Sequence, residues 1–269
     1  MLKRLGVLGW PVAHSLSPRI QNAALHAAGL PDWHYQLLPV PPELLTDTVA
    51  GLPEAGFRGA NVTIPHKQAA IALATRPSAR AAAIGAANTL IFTSAGEVLA
   101  DNTDAPALIA SLPQPAAGRT ALVLGAGGSA RAAVWALRDA GAASVRVWNR
   151  TAGRAVTLAD ELGATAVSTA QVRADPRADL LVNCTAVGLR GAASMEGLPV
   201  GESELAAVGC VVDLVYRTEQ TALVTAARAQ GIAVVDGLQI LIGQGAISFE
   251  LFTGVPASVA AMRAAVQSR

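Results

Sequence analysis

A single lysine follows an apolar, strand-like stretch in the segment NVTIPHK, which spans residues 61–67. Val62 and Ile64 are β-branched and favour a buried strand, and Pro65 lacks the N–H group that a ladder needs, so we predict that the strand ends there. The segment then presents Lys67. A positioned ammonium group can stabilise negative charge that develops on an oxygen atom and can deliver a proton to it. Lys67 is therefore a candidate catalytic residue, and the alternative is one half of a surface salt bridge.

A glycine-rich loop occupies residues 125–130, which read GAGGSA. It follows the apolar stretch TALVL and precedes the apolar, helix-like stretch RAAVWAL. This context is typical of a dinucleotide-binding loop, in which glycines allow a tight turn and a close approach to a pyrophosphate at a helix N-terminus. The predicted cofactor-binding residues of the loop are Gly125, Ala126, Gly127, Gly128 and Ser129. The alternative is a strand–helix turn that binds no ligand.

The segment NRTAGR at residues 149–154 indicates which dinucleotide the loop binds. It follows a second predicted strand, at the position where NAD-binding proteins usually carry an acid for the ribose hydroxyl. This chain has Asn149 there, followed by Arg150, Thr151 and Arg154. Guanidinium groups pair bidentately with phosphate, so these residues favour NADP over NAD. The alternative is that the arginines are solvated charges at the start of a helix.

Four patches of small polar residues lie beside apolar stretches in the first half of the chain: HSLSP (14–18), NVTIPHK (61–67), AANTL (86–90) and DNTD (101–104). In the first patch, Ser15 and Ser17 are two residues apart, so their hydroxyls point the same way in an extended segment and suit a carboxylate. The alternative for Ser17 is a helix cap, because Pro18 favours the first helical position. The asparagines of the other patches could instead make the hydrogen bonds of turns.

The composition argues against several classes of function. The 269 residues carry a net charge of +1 and show no basic stripe, so nucleic acid and anionic membranes are poor partners. We find no apolar run of membrane-spanning length and no signal peptide. The two cysteines form no CxxC pair, and the four histidines show no metal-ligand spacing. We expect a cytoplasmic, reduced protein without a structural disulfide or a metal site.

Strand-like and helix-like segments alternate along the chain, which predicts an α/β protein with parallel sheets covered by helices. A first alternation covers residues 1–102 and ends in a predicted hairpin at 88–102. A second alternation begins with the strand that precedes the glycine loop and runs to Gly237. Two predicted helices follow at 238–254 and 256–267, and the residues alone leave open which unit they join.

The motifs occur in a recognisable order, namely HSLSP, NVTIPHK, GAANTL, DNTD, GAGGSARAA, NRT, DLVY and GLQILIGQGAISFELFTG. With them the chain resembles the shikimate dehydrogenases over nearly its whole length, and NVTIPHK together with DNTD is far more specific than the glycine loop. The resemblance implies an NADP-dependent oxidoreductase that interconverts 3-dehydroshikimate and shikimate in aromatic amino-acid biosynthesis. Its partners would be this small-molecule substrate and NADP, and the chain would act as a monomer or a homodimer.

The resemblance also implies a two-domain α/β fold. An N-terminal substrate-binding domain would comprise residues 1–102, and the C-terminal helices at 238–269 would pack back on it. A Rossmann-type NADP-binding domain with a linking helix would comprise residues 103–237.

Individual residues receive roles from the same resemblance. Lys67 and Asp104 form the catalytic pair, in which the carboxylate orients the ammonium group. Three residues hold the substrate carboxylate: Ser15, Ser17 and Tyr216. Three others bind ring hydroxyls or support the catalytic pair: Thr63, Asn88 and Gln244. Gly237 joins the predicted cofactor-binding residues.

The chain departs from the family pattern at a few positions: Ala100 and Ala105 stand where glycines are common, Thr218 replaces a proline, and Leu189 replaces a methionine near the nicotinamide. None of these changes removes a catalytic group.

Three other functions stay open. A relative acting on quinate or on an amino analogue of shikimate is the closest alternative. Another two-domain NADP enzyme, such as a methylene-tetrahydrofolate dehydrogenase, would leave HSLSP and DNTD unexplained. A catalytically silent sensor of shikimate-like acids would not need the intact Lys67 and Asp104.

Overall fold

The computed structural model describes residues 2–189, 194–217 and 219–267. Thr218, one of the departures from the family pattern, lies outside them. The chain divides into two compact units, Met1–Asp104 with Ile242–Arg269, and Ala105–Leu241. Among the described residues, no helix combines the length and the apolar character that crossing a membrane requires.

The first unit is built on a mixed six-stranded sheet. Its strands are β1 (Lys3–Gly9), β2 (Trp33–Pro39), β3 (Phe57–Val62), β4 (Arg76–Pro77), β5 (Thr89–Phe92) and β6 (Val98–Asp101). They lie in the order β2-β1-β3-β5-β6-β4. β1 runs parallel to β2 and β3, whereas β5 runs antiparallel to β3 and β6. The predicted hairpin is thus confirmed as β5–β6, and it makes the sheet mixed rather than purely parallel.

The helices of the first half cover this sheet. They are α1 (Ser17–Ala27), α2 (Leu45–Gly51), α3 (Lys67–Ala72) and α4 (Ala79–Ile84), and a short 3₁₀ turn at Pro42–Leu44 precedes α2. Side chains of β3 and β5, including Val62 and Leu90, pack with Val49 of α2 and Ala70 of α3 in one core. This apolar core therefore holds β3 and β5 in place against the helices.

The second unit is built on a parallel sheet. Its strands are β7 (Thr120–Leu124), β8 (Ser144–Trp148), β9 (Thr165–Ala166), β10 (Ala178–Asn183), β11 (Val208–Asp213) and β12 (Ala233–Val235). All their pairings are parallel, in the order β12-β11-β10-β7-β8-β9. The strand order reverses between β7 and β10, and the carboxyl ends at such a switch point form the crevice in which a Rossmann fold binds a dinucleotide.

Helices cover both faces of the second sheet. They are α5 (Asp104–Ser111), α6 (Gly128–Asp139), α7 (Ala152–Leu162), α8 (Thr169–Ala174), α9 (Glu202–Leu205) and α10 (Ala222–Ala229). Along β7, Ala121 and Val123 pack into one core, whereas Leu122 and Leu124 pack into another. Burial on both faces explains why this strand reads as a continuous apolar run.

From Ile242 onward the last two helices belong to the first unit, whereas residues 237–241 at the start of the first of them belong to the second unit. They are α11 (Gly237–Thr253) and α12 (Val259–Gln267). A Cβ atom added to Gly59 in β3 would lie 2.4 Å from the Phe252 ring of α11, so this glycine makes room for the helix. Arg19 of α1 donates a hydrogen bond of 2.6 Å to the carbonyl of Ala265 in α12. The predicted fold class is confirmed.

Candidate active site

Lys67 and Asp104 form an ion pair at the starts of two helices, α3 and α5. Lys67 Nζ donates to Asp104 Oδ2 at 2.5 Å, and only 12% and 10% of the two side chains are exposed. A hydrogen bond between charged partners at this distance is short and strong. The pair is largely shielded from water, which sets it apart from the solvent-exposed salt bridge considered as the alternative.

The chain around Lys67 differs in one respect from its prediction. β3 ends at Val62, and residues 63–66 form a turn in which the His66 N–H donates to the Thr63 carbonyl at 2.9 Å. Ile64 is 53% exposed, so its predicted place in a buried strand was wrong. The turn begins before Pro65, and Lys67 is the first residue of a helix rather than the tip of a strand.

Asn88 fixes the orientation of the Asp104 carboxylate. Its Nδ2 donates to Asp104 Oδ1 at 2.9 Å, to Thr103 Oγ1 at 2.9 Å and to Gln244 Oε1 at 3.3 Å. Its Oδ1 accepts from the Thr103 N–H at 2.7 Å. Each carboxylate oxygen of Asp104 thus has a separate partner, Asn88 on one side and Lys67 on the other. The structure brings four predicted site residues together in the first unit: Lys67, Asp104, Asn88 and Gln244.

The serines of HSLSP lie at the start of α1. The helix begins at Ser17, and its N-cap residue is Leu16, whose side chain makes no capping hydrogen bond. The capping role considered for Ser17 was therefore wrong, and this buried residue has no described hydrogen-bond partner for its hydroxyl. Ser15 is half-buried, and its Oγ accepts from the Ser17 N–H at 3.3 Å.

Strand directions place these segments at one edge of the first sheet. β1 and β3 are parallel, so the segments after them, which carry Ser15 and Lys67, leave at the same edge. β5 is antiparallel to β3, so Asn88, which precedes β5, starts at that edge, and Asp104, which follows β6, returns to it. Thr63 is there too, and a Cβ atom at Gly9 would lie 2.5 Å from its methyl group. Among the described residues, no cluster of His, Cys, Asp and Glu could hold a metal ion.

The glycine loop of the second unit makes a tight turn between β7 and α6. Gly125 has a φ of +114°, which disfavours other residues, and a Cβ atom there would lie 3.1 Å from the backbone of Cys184. Gly127 is the N-cap of α6, and a Cβ atom there would have no described neighbour within 4 Å. The predicted residues Gly128 and Ser129 lie at the start of α6, and Ala126 lies half-buried between Gly125 and Gly127.

The predicted phosphate-binding segment lies at the end of β8. Thr151 is the N-cap of α7, and Asn149 donates to the Thr151 carbonyl at 2.9 Å. Arg150 and Arg154 are exposed, and neither forms an ion pair with a described residue. Both guanidinium groups are therefore available to a phosphate, and the residues of this unit fit NADP.

Tyr216 and Gly237 meet through the backbone in the second unit. Tyr216 is half-buried in the loop after β11. A Cβ atom on Gly237, the first residue of α11, would lie 2.3 Å from the Val215 carbonyl oxygen and 2.8 Å from the Tyr216 nitrogen. Glycine is therefore required at 237 for packing, and its role toward the cofactor stays a prediction.

A buried carboxylate in the second unit was missed by sequence reasoning. Asp213 is fully buried at the end of β11 and accepts from Asn183 Nδ2 at 2.9 Å, the Val215 N–H at 3.1 Å and Thr221 Oγ1 at 2.6 Å. Burial raises the pKa of Asp213 to about 6, more than these hydrogen bonds lower it, and Asp236 adds a small raising contribution. The available signal was a single acid at the end of the apolar run VGCVVD.

The pKa of Asp213 predicts how stability depends on pH. Because the value of about 6 lies above the ordinary 3.8, the neutral carboxyl stabilises the fold fully at low pH and progressively less as pH rises through 6. Asp213→Asn stays neutral and can keep the two hydrogen bonds that Oδ1 accepts from Asn183 and Val215, while its amide nitrogen would donate to Thr221 Oγ1 instead of accepting from it. Relative to this variant, the free energy of unfolding of the wild type should fall by up to about 3 kcal/mol between about pH 4 and pH 7. Urea denaturation at intervals across this range measures it, and parallel curves for the two proteins contradict it.

Three families of known domains match the chain. Residues 7–90 match the Shikimate dehydrogenase substrate binding domain, residues 108–188 match Shikimate / quinate 5-dehydrogenase, and residues 237–267 match the Shikimate 5'-dehydrogenase C-terminal domain. The shikimate dehydrogenase (NADP(+)) of Methylobacterium radiotolerans is 46% identical over 261 residues, with 93% of this chain and 91% of the relative covered.

Solved structures resemble the chain over almost its full length. Shikimate 5-dehydrogenase from Thermus thermophilus, in complex with NADP(H) and shikimate, is 41% identical with a TM-score of 0.87 and 99% of both chains covered. The 5-ketofructose reductase of a Gluconobacter species, in a ligand-free form, is 29% identical with a TM-score of 0.82, covering 99% of this chain and 98% of that one. By its domain matches and its identity to these relatives, the chain belongs to the shikimate dehydrogenase family.

Proposed function

We propose that this protein catalyses the reversible, NADP-dependent reduction of 3-dehydroshikimate to shikimate, a step of aromatic amino-acid biosynthesis. The observation that carries the proposal is the shielded Lys67–Asp104 pair, held by Asn88 at the sheet edge where HSLSP also lies. The names of the relatives from Methylobacterium radiotolerans and Thermus thermophilus support the same reaction.

Lys67 is the proposed proton carrier. When bound, NADPH supplies the hydride that the reduction requires. The ketone oxygen gains negative charge as its carbon is reduced, and the Lys67 ammonium stabilises that charge and donates its proton to the oxygen. Asp104 keeps the ammonium aimed through the 2.5 Å hydrogen bond. In the oxidising direction the neutral amine accepts the hydroxyl proton. The exposed 12% of the Lys67 side chain gives water a route to restore the proton.

The substrate would be held at both ends. We assign its carboxylate to the hydroxyls of Ser15 and Ser17, with Tyr216 as a third donor. We assign its ring hydroxyls to Thr63 and Gln244, and Asn88 supports the catalytic carboxylate.

NADP would be held by the second unit. The start of α6 and the open face of Gly127 suit the pyrophosphate, and Arg150, Thr151 and Arg154 suit the ribose phosphate. We accordingly propose that residues 1–102 with 238–269 form the substrate-binding domain and that residues 103–237 form the NADP-binding domain.

We also propose a cytoplasmic location. The proposed assembly is either a monomer or a homodimer, and light scattering distinguishes the two.

Initial-rate spectroscopy at the absorbance of reduced nicotinamide tests the reaction. Shikimate and quinate are each paired with oxidised NADP and with oxidised NAD. The ketone 5-ketofructose is paired with the reduced form of each cofactor. The proposal predicts that shikimate with NADP gives the highest kcat/KM. A preference for quinate or 5-ketofructose would assign the chain to another activity of the family, and shikimate binding without turnover would identify a sensor.

Ser17→Ala tests the carboxylate assignment. Because the Ser17 hydroxyl caps no helix, its loss should leave the melting temperature unchanged. Losing a hydrogen bond to a charged group typically costs about 1.5–3 kcal/mol, so KM for shikimate should rise roughly ten- to hundredfold while Kd for NADP stays constant. Ser168→Ala is the matched control, because Ser168 does cap α8 through the Gln171 N–H. It should lower the melting temperature and leave KM unchanged. The opposite pattern in the two variants would show that Ser17 is structural.

A further inference from the structure

Gln21 joins two helices of the first unit that carry predicted substrate-binding residues. It is 0% exposed and lies on α1, one turn after Ser17. Its Nε2 donates to the Gly245 carbonyl at 2.9 Å and to Ser248 Oγ at 3.3 Å, both on α11. Gln244 precedes this turn directly, and its Oε1 accepts from Asn88 at 3.3 Å. Gln21 therefore connects the helix of Ser17 to the helix of Gln244.

The two helices approach closely where Gln21 joins them. A Cβ atom added to Gly245 would lie 2.9 Å from Ile20 Cδ1 and 3.5 Å from Gln21 Nε2. Because a carbonyl oxygen only accepts hydrogen bonds, the amino group of Gln21 must face Gly245. The amide is thus fixed in one orientation. Its hydrogen bonds fix the position of α11 relative to α1 at this contact.

The bridge also reaches the catalytic residues through buried polar groups. Ser248 Oγ has one proton, for which the Gly245 carbonyl at 3.1 Å and Asn61 Oδ1 at 3.4 Å compete, and Asn61 Nδ2 donates to the Asn88 carbonyl at 3.2 Å. Tyr35 fixes Asn61 from the other side with a hydrogen bond of 2.8 Å. Because the Gly245 carbonyl is the nearer acceptor for the Ser248 proton, this link to Asn88 is the weaker one, and the direct connection from Gln21 to the helix of Gln244 carries the argument.

Stability alone does not explain a glutamine at this place. Apart from Ser17, the other buried residues of α1 are apolar, namely Ile20, Ala24 and Leu25. Gln21 Oε1 is buried without a hydrogen-bond partner in the described part of the chain. Burying an unpaired amide oxygen costs free energy that leucine of similar size would not cost.

We propose that Gln21 is a positioning residue that sets the spacing between Ser17 and Gln244, and thereby the affinity and selectivity for the substrate. The proposal rests on the proposed function, in which Ser17 holds the carboxylate and Gln244 a ring hydroxyl. A fixed spacing between these groups matches one arrangement of carboxylate and hydroxyls on the ring and disfavours others.

Gln21→Leu tests the proposal in the full chain. We expect KM for shikimate to rise about tenfold, which corresponds to the loss of about 1.4 kcal/mol in affinity. The preference for shikimate over quinate should shrink, while Kd for NADP, measured by calorimetry, stays constant. In a Gln244→Ala background the same substitution should change KM by less than about twofold, because the residue through which it acts is gone.

Asn22→Leu is the matched control. Asn22 is the next residue on α1, and it makes two hydrogen bonds, of 2.8 and 2.9 Å, to the backbone of Tyr35 in β2 rather than to α11. It should lower the melting temperature and leave the preference for shikimate over quinate unchanged. Should Gln21→Leu not fold, Ser248→Ala removes one acceptor of the bridge and should shift KM in the same direction.

The outcomes distinguish failure of the positioning role of Gln21 from failure of the proposed function. An unchanged KM in Gln21→Leu, or an equal fold-change with and without Gln244, overturns the positioning role. A wild type that turns over neither shikimate nor 3-dehydroshikimate with NADP overturns the proposed function before any variant is compared.

Discussion

Replacing Lys67 by methionine should lower kcat by at least about 10²–10⁴-fold, the usual contribution of general acid–base catalysis. Methionine keeps most of the apolar stem, so packing is largely preserved and the ammonium group alone is lost. That group contacts the ketone oxygen chiefly as charge develops there, and removing such a contact lowers kcat more than it changes ground-state binding. Stopped-flow and steady-state rates at saturating shikimate and NADP measure the effect.

The controls for this variant separate chemistry from folding. Lys3→Met removes an exposed lysine that lies over the Trp33 ring, and it should leave kcat unchanged. Kd for NADP should be the same in both variants and in the wild type. A near-normal kcat in Lys67→Met would exclude lysine as the proton carrier.

Asp104 should behave as part of the same unit. Asp104→Asn keeps the shape of the side chain but removes the charge that aims the Lys67 ammonium at 2.5 Å. We expect a lower kcat, and a double variant that loses less than the product of the two single losses. Fully multiplicative losses would mean that the two residues act independently.

The second sheet was predictable because its strands are buried on both faces. Such strands read as short apolar runs, and the glycine loop marks where the first of them turns into a helix. Even there, Asp213 was overlooked, since its hydrogen bonds to Asn183 and Thr221 join residues that lie 30 and 8 positions away. A single polar residue that ends an apolar run was the available signal.

The first unit shows what local patterns cannot decide. Ser17 followed by Pro18 has the residue types of a capped helix start, yet the helix begins one residue earlier, so Ser17 is the first helical residue and Leu16 is the N-cap. The contact between Gln21 and Gly245 spans 224 residues of sequence, so no window around either residue contains it. Ile64 has a β-branched side chain but lies in a turn, because the ladder with β5 has already ended.

Arg150→Ala should weaken NADP roughly ten- to hundredfold and leave the affinity for NAD nearly unchanged. The loss corresponds to about 1.5–3 kcal/mol for hydrogen bonds between charged partners. Arg150 is exposed at the end of β8, where no acid is present to hold a ribose hydroxyl, so its guanidinium has no role toward NAD. Calorimetric titration of each cofactor into the variant gives both constants.

Two comparisons test whether Arg150→Ala weakens NADP through a lost contact to the ribose phosphate. Arg177→Ala removes another exposed arginine of the same unit, paired with Asp175, and should change neither affinity. Adding Arg154→Ala to Arg150→Ala should weaken NADP further and flatten its dependence on salt, because each lost guanidinium removes one screened attraction to the phosphate. Equal losses for NADP and NAD in Arg150→Ala would point to a folding effect, since a residue that contacts only the phosphate cannot alter the affinity for a cofactor that lacks it.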